Sequence, residues 1–128
     1  MNAALSVLRL GEHFAQLTGE GECLPAKVDA AFWETDIAAL PLGRLVSMLE
    51  TGPAWNSWEC HPSGEEFILQ LAGTLALRFE TNGGVEHRTL QEGEFIIVPE
   101  GMWHTAGTSE PGRAMFITPG EGTQLRPR

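Results

Sequence analysis

Positive charge is scarce in this chain. Against 17 aspartates and glutamates stand only 8 lysines and arginines, for a formal charge of −9 over 128 residues, and Lys27 is the only lysine. Phosphate backbones are held by positive stripes that release counterions, and no basic cluster here exceeds an isolated pair, so DNA and RNA are set aside as partners. An anionic bilayer surface is disfavoured on the same ground. Long apolar runs are missing as well: stretches such as Phe67–Leu69 and Phe95–Val98 fall far short of the roughly 20 residues that cross a membrane. Met1–Leu10 has no charged leader and no sustained apolar core, so a signal peptide is not expected there and a cytoplasmic location is. The two cysteines, Cys23 and Cys60, have no CxxC partner, which removes a zinc knuckle and leaves two reduced thiols as the simplest state.

What is present describes one globular domain. A mass of 13.9 kDa suits a single core that needs no disulfide staples, and 42% hydrophobic against 20% charged residues is too apolar for a disordered chain. Glycine (15) and proline (8) punctuate runs rich in Val, Ile, Leu, Phe and Thr, and no window past the N-terminal third keeps a helical period for three turns. Strands are therefore expected at 44–50, 56–61, 65–72, 74–80, 85–90, 94–98, 103–108 and 113–118, with Asn82-Gly83-Gly84 as a hairpin turn. Eight short strands at this spacing describe a sandwich or barrel. Roughly the first thirty residues fit strand or short helix equally, Asp36–Leu40 reads as one helical turn or a loop, and residues 119–128 read as an exit tail.

The four histidines differ in setting. His13 stands beside Glu12 in the ambiguous segment, and His87 stands between Glu86 and Arg88 on a hairpin arm; both read as surface residues. His61 and His104 each sit beside a turn among apolar residues. In a strand, Glu59 and His61 share a face, and Cys60 points the other way. Beyond the Pro62–Gly64 turn, Glu65 and Glu66 take opposite faces, so one of them can join Glu59 and His61. With a remote His104 these make an N/O cluster suited to a divalent transition metal; the alternative is an empty polar pocket. Trp58 and Trp103 alternate against Glu59 and His104 and should face away from it. All four tryptophans read as core or rim packing. The face assignments put Met48, Ile68, Gln70 and Phe95 around a mostly apolar pocket, which points to a small organic ligand.

Gly93, Pro99, Gly101 and His104 fall at every fixed position of G-x-x-x-x-x-P-x-G-x-x-H, and in this the chain resembles the cupins, whose second motif this is. Their first motif, H-x-H-x-x-x-x-E-x-x-x-x-x-x-G, is met by His61, Glu66 and Gly73, with Glu59 where the family has its first histidine. Its leading glycine would be Gly52, displaced by one, and the Asn that often follows the last histidine is replaced by Thr108. The resemblance implies an all-β, single-domain double-stranded β-helix, a jelly-roll barrel over residues 42–120. An N-terminal extension (1–41) would pack on the barrel or swap between barrels, and 121–128 would be the tail. It further implies that His61, Glu66 and His104 converge inside the barrel, with Glu66 favoured over Glu65 by its spacing to Gly73. Glu59 would then be a fourth ligand or a nearby base. Two carboxylates leave a divalent ion neutral, harden the ligand set and favour iron, manganese or zinc over copper(I). Without metal, Glu59 and Glu66 would share a semi-enclosed space and act as a coupled acid/base pair, one of them keeping its proton near neutral pH. The functions this leaves open are a metal-dependent, dioxygenase-like enzyme acting on a small molecule, a non-catalytic binding or sensor module, and a metal-free isomerase or epimerase. The last is weakened by the shortage of cations for a nucleotide diphosphate. A homodimer is expected, paired through sheet edges with the N-terminal third taking part.

Overall fold

Period-two runs cut by glycine and proline have one economical outcome, a half-buried antiparallel sheet. The computed structural model describes residues 5–128; residues 1–4, the start of the N-terminal stretch read above, lie outside it. Two strands come first, β1 (His13–Thr18) and β2 (Cys23–Lys27), then a 3-10 turn at Asp36–Ala39. Eight follow: β3 (Gly43–Thr51), β4 (Ser57–Cys60), β5 (Glu66–Ala72), β6 (Leu75–Thr81), β7 (Gly84–Leu90), β8 (Phe95–Val98), β9 (His104–Ala106) and β10 (Gly112–Thr118). Each matches an expected strand to within two residues. β11 (Gln124–Pro127) ends the chain.

Two antiparallel sheets result, ordered β2-β1-β3-β10-β5-β8 and β11-β4-β9-β6-β7. The central pairings are nested: β3 with β10, β4 with β9, β5 with β8, β6 with β7. That is one long hairpin wound on itself, the jelly roll. Between the sheets Ile68, Leu77, Phe79, Val98 and Phe116 form the main core. Phe14, Phe32 and Leu45 form a second, with Phe14 and Phe32 edge to face at 5.2 Å. The glycine that closes the first motif has a steric reason. Gly73 has φ +69°, and a Cβ there would lie 2.4 Å from the Pro111 carbonyl oxygen.

Two expectations change. The C-terminal stretch read as an exit tail carries an edge strand: β11 pairs with β4, its proline at the strand end where no ladder donor is needed. The ambiguous N-terminal segment is a hairpin whose β1 extends the larger sheet along β3. Both cysteines are free, Cys23 exposed and Cys60 buried. Among the described residues no helix is long and apolar enough to cross a membrane.

Candidate metal centre

The nested pairing brings distant residues together. Glu59 on β4 lies directly opposite His104 on β9, and His104 lies opposite Phe79 on β6. Opposed residues share a face, so these three form one inward row. His61 follows Glu59 by two residues. Glu66 opens β5 on the other sheet and is buried, whereas Glu65 is exposed, as the spacing to Gly73 required. Glu66 Oε1 lies 3.0 Å from His104 Nε2 and 3.4 Å from His61 Nε2, and Glu59 Oε2 lies 3.8 Å from His61 Nε2. One donor atom from each of Glu59, His61 and His104 fits within a span of 4.8 Å. The four residues singled out in the sequence thus meet at one point.

Their outer atoms are already engaged. His104 Nδ1 is 3.0 Å from the Met102 carbonyl, which can only accept, so Nδ1 carries the proton. His61 Nδ1 is 2.9 Å from the Thr123 hydroxyl. That hydroxyl donates its single proton to the Gly120 carbonyl at 2.8 Å, so it accepts from His61. Both neutral imidazoles therefore present an Nε2 lone pair to the centre. Glu66 Oε2 accepts from Thr118 Oγ1 at 2.5 Å, which aims Oε1 inward. The three inward atoms, His61 Nε2, His104 Nε2 and Glu66 Oε1, are buried and make no hydrogen bond: they lie close, but no N–H points at the oxygen. Thr118 and Thr123 were not singled out in the sequence. Thr118 had a parity signal, lying across β10 and β5 from Glu66; Thr123 had none.

Electrostatics separate the two acids. Burial would raise the Glu66 carboxyl, but His104 and His61 outweigh it and hold it down, to about 2. Burial first, and then the Glu66 charge, raise Glu59 above the ordinary carboxylate range, the two histidines opposing. Burial would lower His104, yet Glu66 prevails and raises it. The cluster therefore attracts positive charge, whether a proton or a cation.

Exposure shows where the centre opens. The Glu59 side chain is 32% exposed, against 5% for His61, 4% for Glu66 and none for His104. The wall is aromatic: Trp55 lies 6.2 Å from the His104 ring and 6.1 Å from Phe116, and Phe79 stacks 6.3 Å from His104. Trp55 shares the parity of Glu59 and His61, a signal that was available in the sequence. Of the expected pocket residues, Ile68 and Gln70 are inward and fully buried. Met48 and Phe95 are not: both lie on the outer face, Phe95 stacked on Phe67 at 4.9 Å. Trp58 and Trp103 face outward as expected, flanking the Arg126 guanidinium at 5.4 and 4.7 Å.

A jelly roll that carries imidazoles and carboxylates on its inner face defines a class of β-barrel proteins with a polar centre inside an apolar shell. Comparison with known proteins identifies the family: the model described as "Cupin domain" matches residues 45–119, more than half of the chain. The chain belongs to the cupin-domain family. Among solved structures it is similar to a cupin-2 domain containing protein from Shewanella frigidimarina (22% identity, 66% of this chain and 71% of that one, TM-score 0.50). It is also similar to a hydroquinone 1,2-dioxygenase in complex with Cd2+ and 4-hydroxybenzonitrile (17% identity, 66% and 62%, TM-score 0.52). A third is the hydroxypropylphosphonic acid epoxidase of S. wedmorenis (13% identity, 59% and 43%, TM-score 0.50). At these identities the likeness is one of fold, and the chain spans less than two thirds of the two enzymes. No curated protein matches.

Proposed function

We propose that this cupin holds one divalent metal ion through His61, His104, Glu66 and Glu59, and that it acts on a small organic molecule as an oxygenase or related enzyme. One observation carries the metal: three buried side-chain atoms, His61 Nε2, His104 Nε2 and Glu66 Oε1, face one another without a well-directed hydrogen bond. Atoms bound to one ion at about 2.0–2.2 Å stand roughly 3.0–3.5 Å apart, and the 3.0 and 3.4 Å separations around Glu66 Oε1 suit that arrangement. Glu59, farther out and more exposed, completes the set from the solvent side. Two histidines and a carboxylate are the composition of a non-haem iron site, and an ion there supplies Lewis acidity or, as iron, dioxygen chemistry.

This chain's residues set the remaining terms. Met102 and Thr123 fix the imidazole tautomers, Thr118 fixes the Glu66 carboxylate, and Trp55, Phe79 and Phe116 exclude water. Two carboxylates cancel a divalent charge, so a neutral ligand is better matched than an anion. Metal analysis of purified protein is the test. Near-stoichiometric metal should be lost in His61→Ala and His104→Ala and reduced in Glu59→Ala. Full occupancy in all three variants refutes the assignment. The opposite pKa displacements of Glu59 and Glu66 favour a second reading, a metal-free isomerase with Glu59 as acid and Glu66 as base. Turnover that persists in excess chelator would select it. A non-catalytic sensor would bind its ligand without turnover.

A further inference from the structure

The inner row that carries the centre runs the full width of the five-stranded sheet. Its members are opposed in turn: Leu125 on β11, Glu59 on β4, His104 on β9, Phe79 on β6 and Glu86 on β7. The two ends of the row differ in kind. On one side Phe79 is buried and closes the centre, and beyond it Glu86 pairs with the Arg88 guanidinium at 3.1 Å, a polar end suited to water. On the other side exposure climbs from none at His104 through 32% at Glu59 to 66% at Leu125. The way from solvent to the inward donor atoms therefore crosses a leucine, on an edge strand where a charge is the common protection. The nearby cations are turned away from it. Arg126 takes the opposite face of β11, between Trp58 and Trp103, and pairs with Glu80 Oε2 at 2.6 Å. Arg128 is engaged by the Trp55 and Ala106 carbonyls.

We propose that Leu125 seats the apolar tail of the molecule this centre takes, a neutral amphiphile whose polar head reaches the ion past Glu59; the proposal rests on the metal reading above. The β11–β4 ladder and the Arg126 clamp on the outer face hold Leu125 in register beside Glu59. Two strand spacings of about 4.8 Å separate it from His104, so a tail reaching about 10 Å from the centre lies over it. A charged tail would give up water above an apolar side chain, with both nearby guanidiniums already engaged. The leucine thus selects against anions at the entry, as the two carboxylates do at the ion.

Binding of 1-alkylimidazoles to the cobalt(II)-loaded full chain tests this, read by the visible absorption of the ion. These probes are neutral, offer one nitrogen lone pair to the metal and differ only in the tail. A fully buried methylene is worth about fourfold in affinity, and a one-sided seat about half that free energy, so affinity should rise about twofold per methylene from 1-methyl- to 1-hexylimidazole. Leu125→Ser should cut the hexyl-to-methyl ratio at least about fivefold, and Leu125→Phe, which enlarges the seat, should raise the benzyl-to-methyl ratio. Val85→Ser, at another exposed apolar position but on the outer face of β7, should move neither ratio. Cobalt content and melting, measured alongside, show that centre and barrel are intact in each variant. Failure of the wild type to take up cobalt overturns the metal reading and the seat with it. With cobalt bound, an affinity indifferent to tail length, a preference untouched by Leu125→Ser, or no gain in Leu125→Phe overturns the seat alone.

Discussion

Replacing Thr123 with valine tests the tautomer argument directly. The hydroxyl accepts the His61 Nδ1 proton at 2.9 Å and is itself fixed by the Gly120 carbonyl at 2.8 Å. Valine keeps the branched shape and removes the acceptor. His61 is only 5% exposed, so its ring must leave an N–H unpaired or move the proton to Nε2, where it faces Glu66 and displaces the lone pair. An unsatisfied buried donor costs about 1–3 kcal/mol, and loss of a residue that orients a metal-bound histidine costs about 10–100-fold in metal affinity. Thr123 lies at the surface, so water can reach Nδ1 in the variant, and the lower end, about tenfold, is expected. The assay is competition for zinc or manganese against a chelator of known affinity at fixed pH. Thr123→Ser should restore the affinity, because it returns the acceptor without the methyl. Wild-type affinity in Thr123→Val would refute the reasoning, and so would failure of the serine to rescue a loss.

Three further outcomes follow from the same geometry. Glu59→His should retain metal and shift its preference toward softer ions, read by competition among iron(II), manganese and zinc; unchanged occupancy and selectivity would make Glu59 a bystander. In chelator-treated protein the Glu66 carboxyl is held down to about 2, so its contribution to stability is present above the ordinary 4.5 and is lost as pH falls from there toward 2. His104 is held up, so its share is full below its ordinary 6.5 and is lost as pH rises through its folded value. Melting temperatures should therefore peak between about 4.5 and 6.5, and a proton on His104 should make metal affinity rise with pH. Melting temperatures that climb steadily from pH 6 to 8 would contradict the first part. Gly73→Ala places a Cβ 2.4 Å from a carbonyl at φ +69°, and urea unfolding should show a loss of at least about 2 kcal/mol.

The strands of the barrel were legible because Gly/Pro punctuation bounds short apolar-rich runs over residues 43–118, reinforced by alternation in runs such as Leu75–Phe79. The inward carboxylate was legible in two steps: parity separates Glu65 from Glu66, and the resemblance to the cupin first motif, with its fixed distance to Gly73, selects one. Inside and outside were misassigned where alternation is absent. Phe95–Val98 and Leu45–Leu49 are nearly continuous apolar runs, and in such runs parity carries no sign. Met48 and Phe95 were drawn inward for that reason. β11 was missed because Gln124-Leu125-Arg126-Pro127 is short, holds no β-branched residue and ends in proline, and its pairing with β4 is tertiary.

That C-terminal segment alters how the centre is held. The inner row of Glu59 and His104 is set by backbone register, which no single side chain controls. His61 lies one residue beyond the end of β4, where the ladder no longer fixes its direction. Thr123 does so from the other side of the turn that leads into β11, and Arg128 donates to the Trp55 and Ala106 carbonyls at 3.2 and 2.7 Å, tying the aromatic wall to β9. Register gives the centre its location, and the last residues of the chain give it one imidazole orientation and one wall. A change in residues 120–128 should therefore alter metal affinity and access to the centre before it disturbs the fold, because the main core between the sheets draws no residue from that segment.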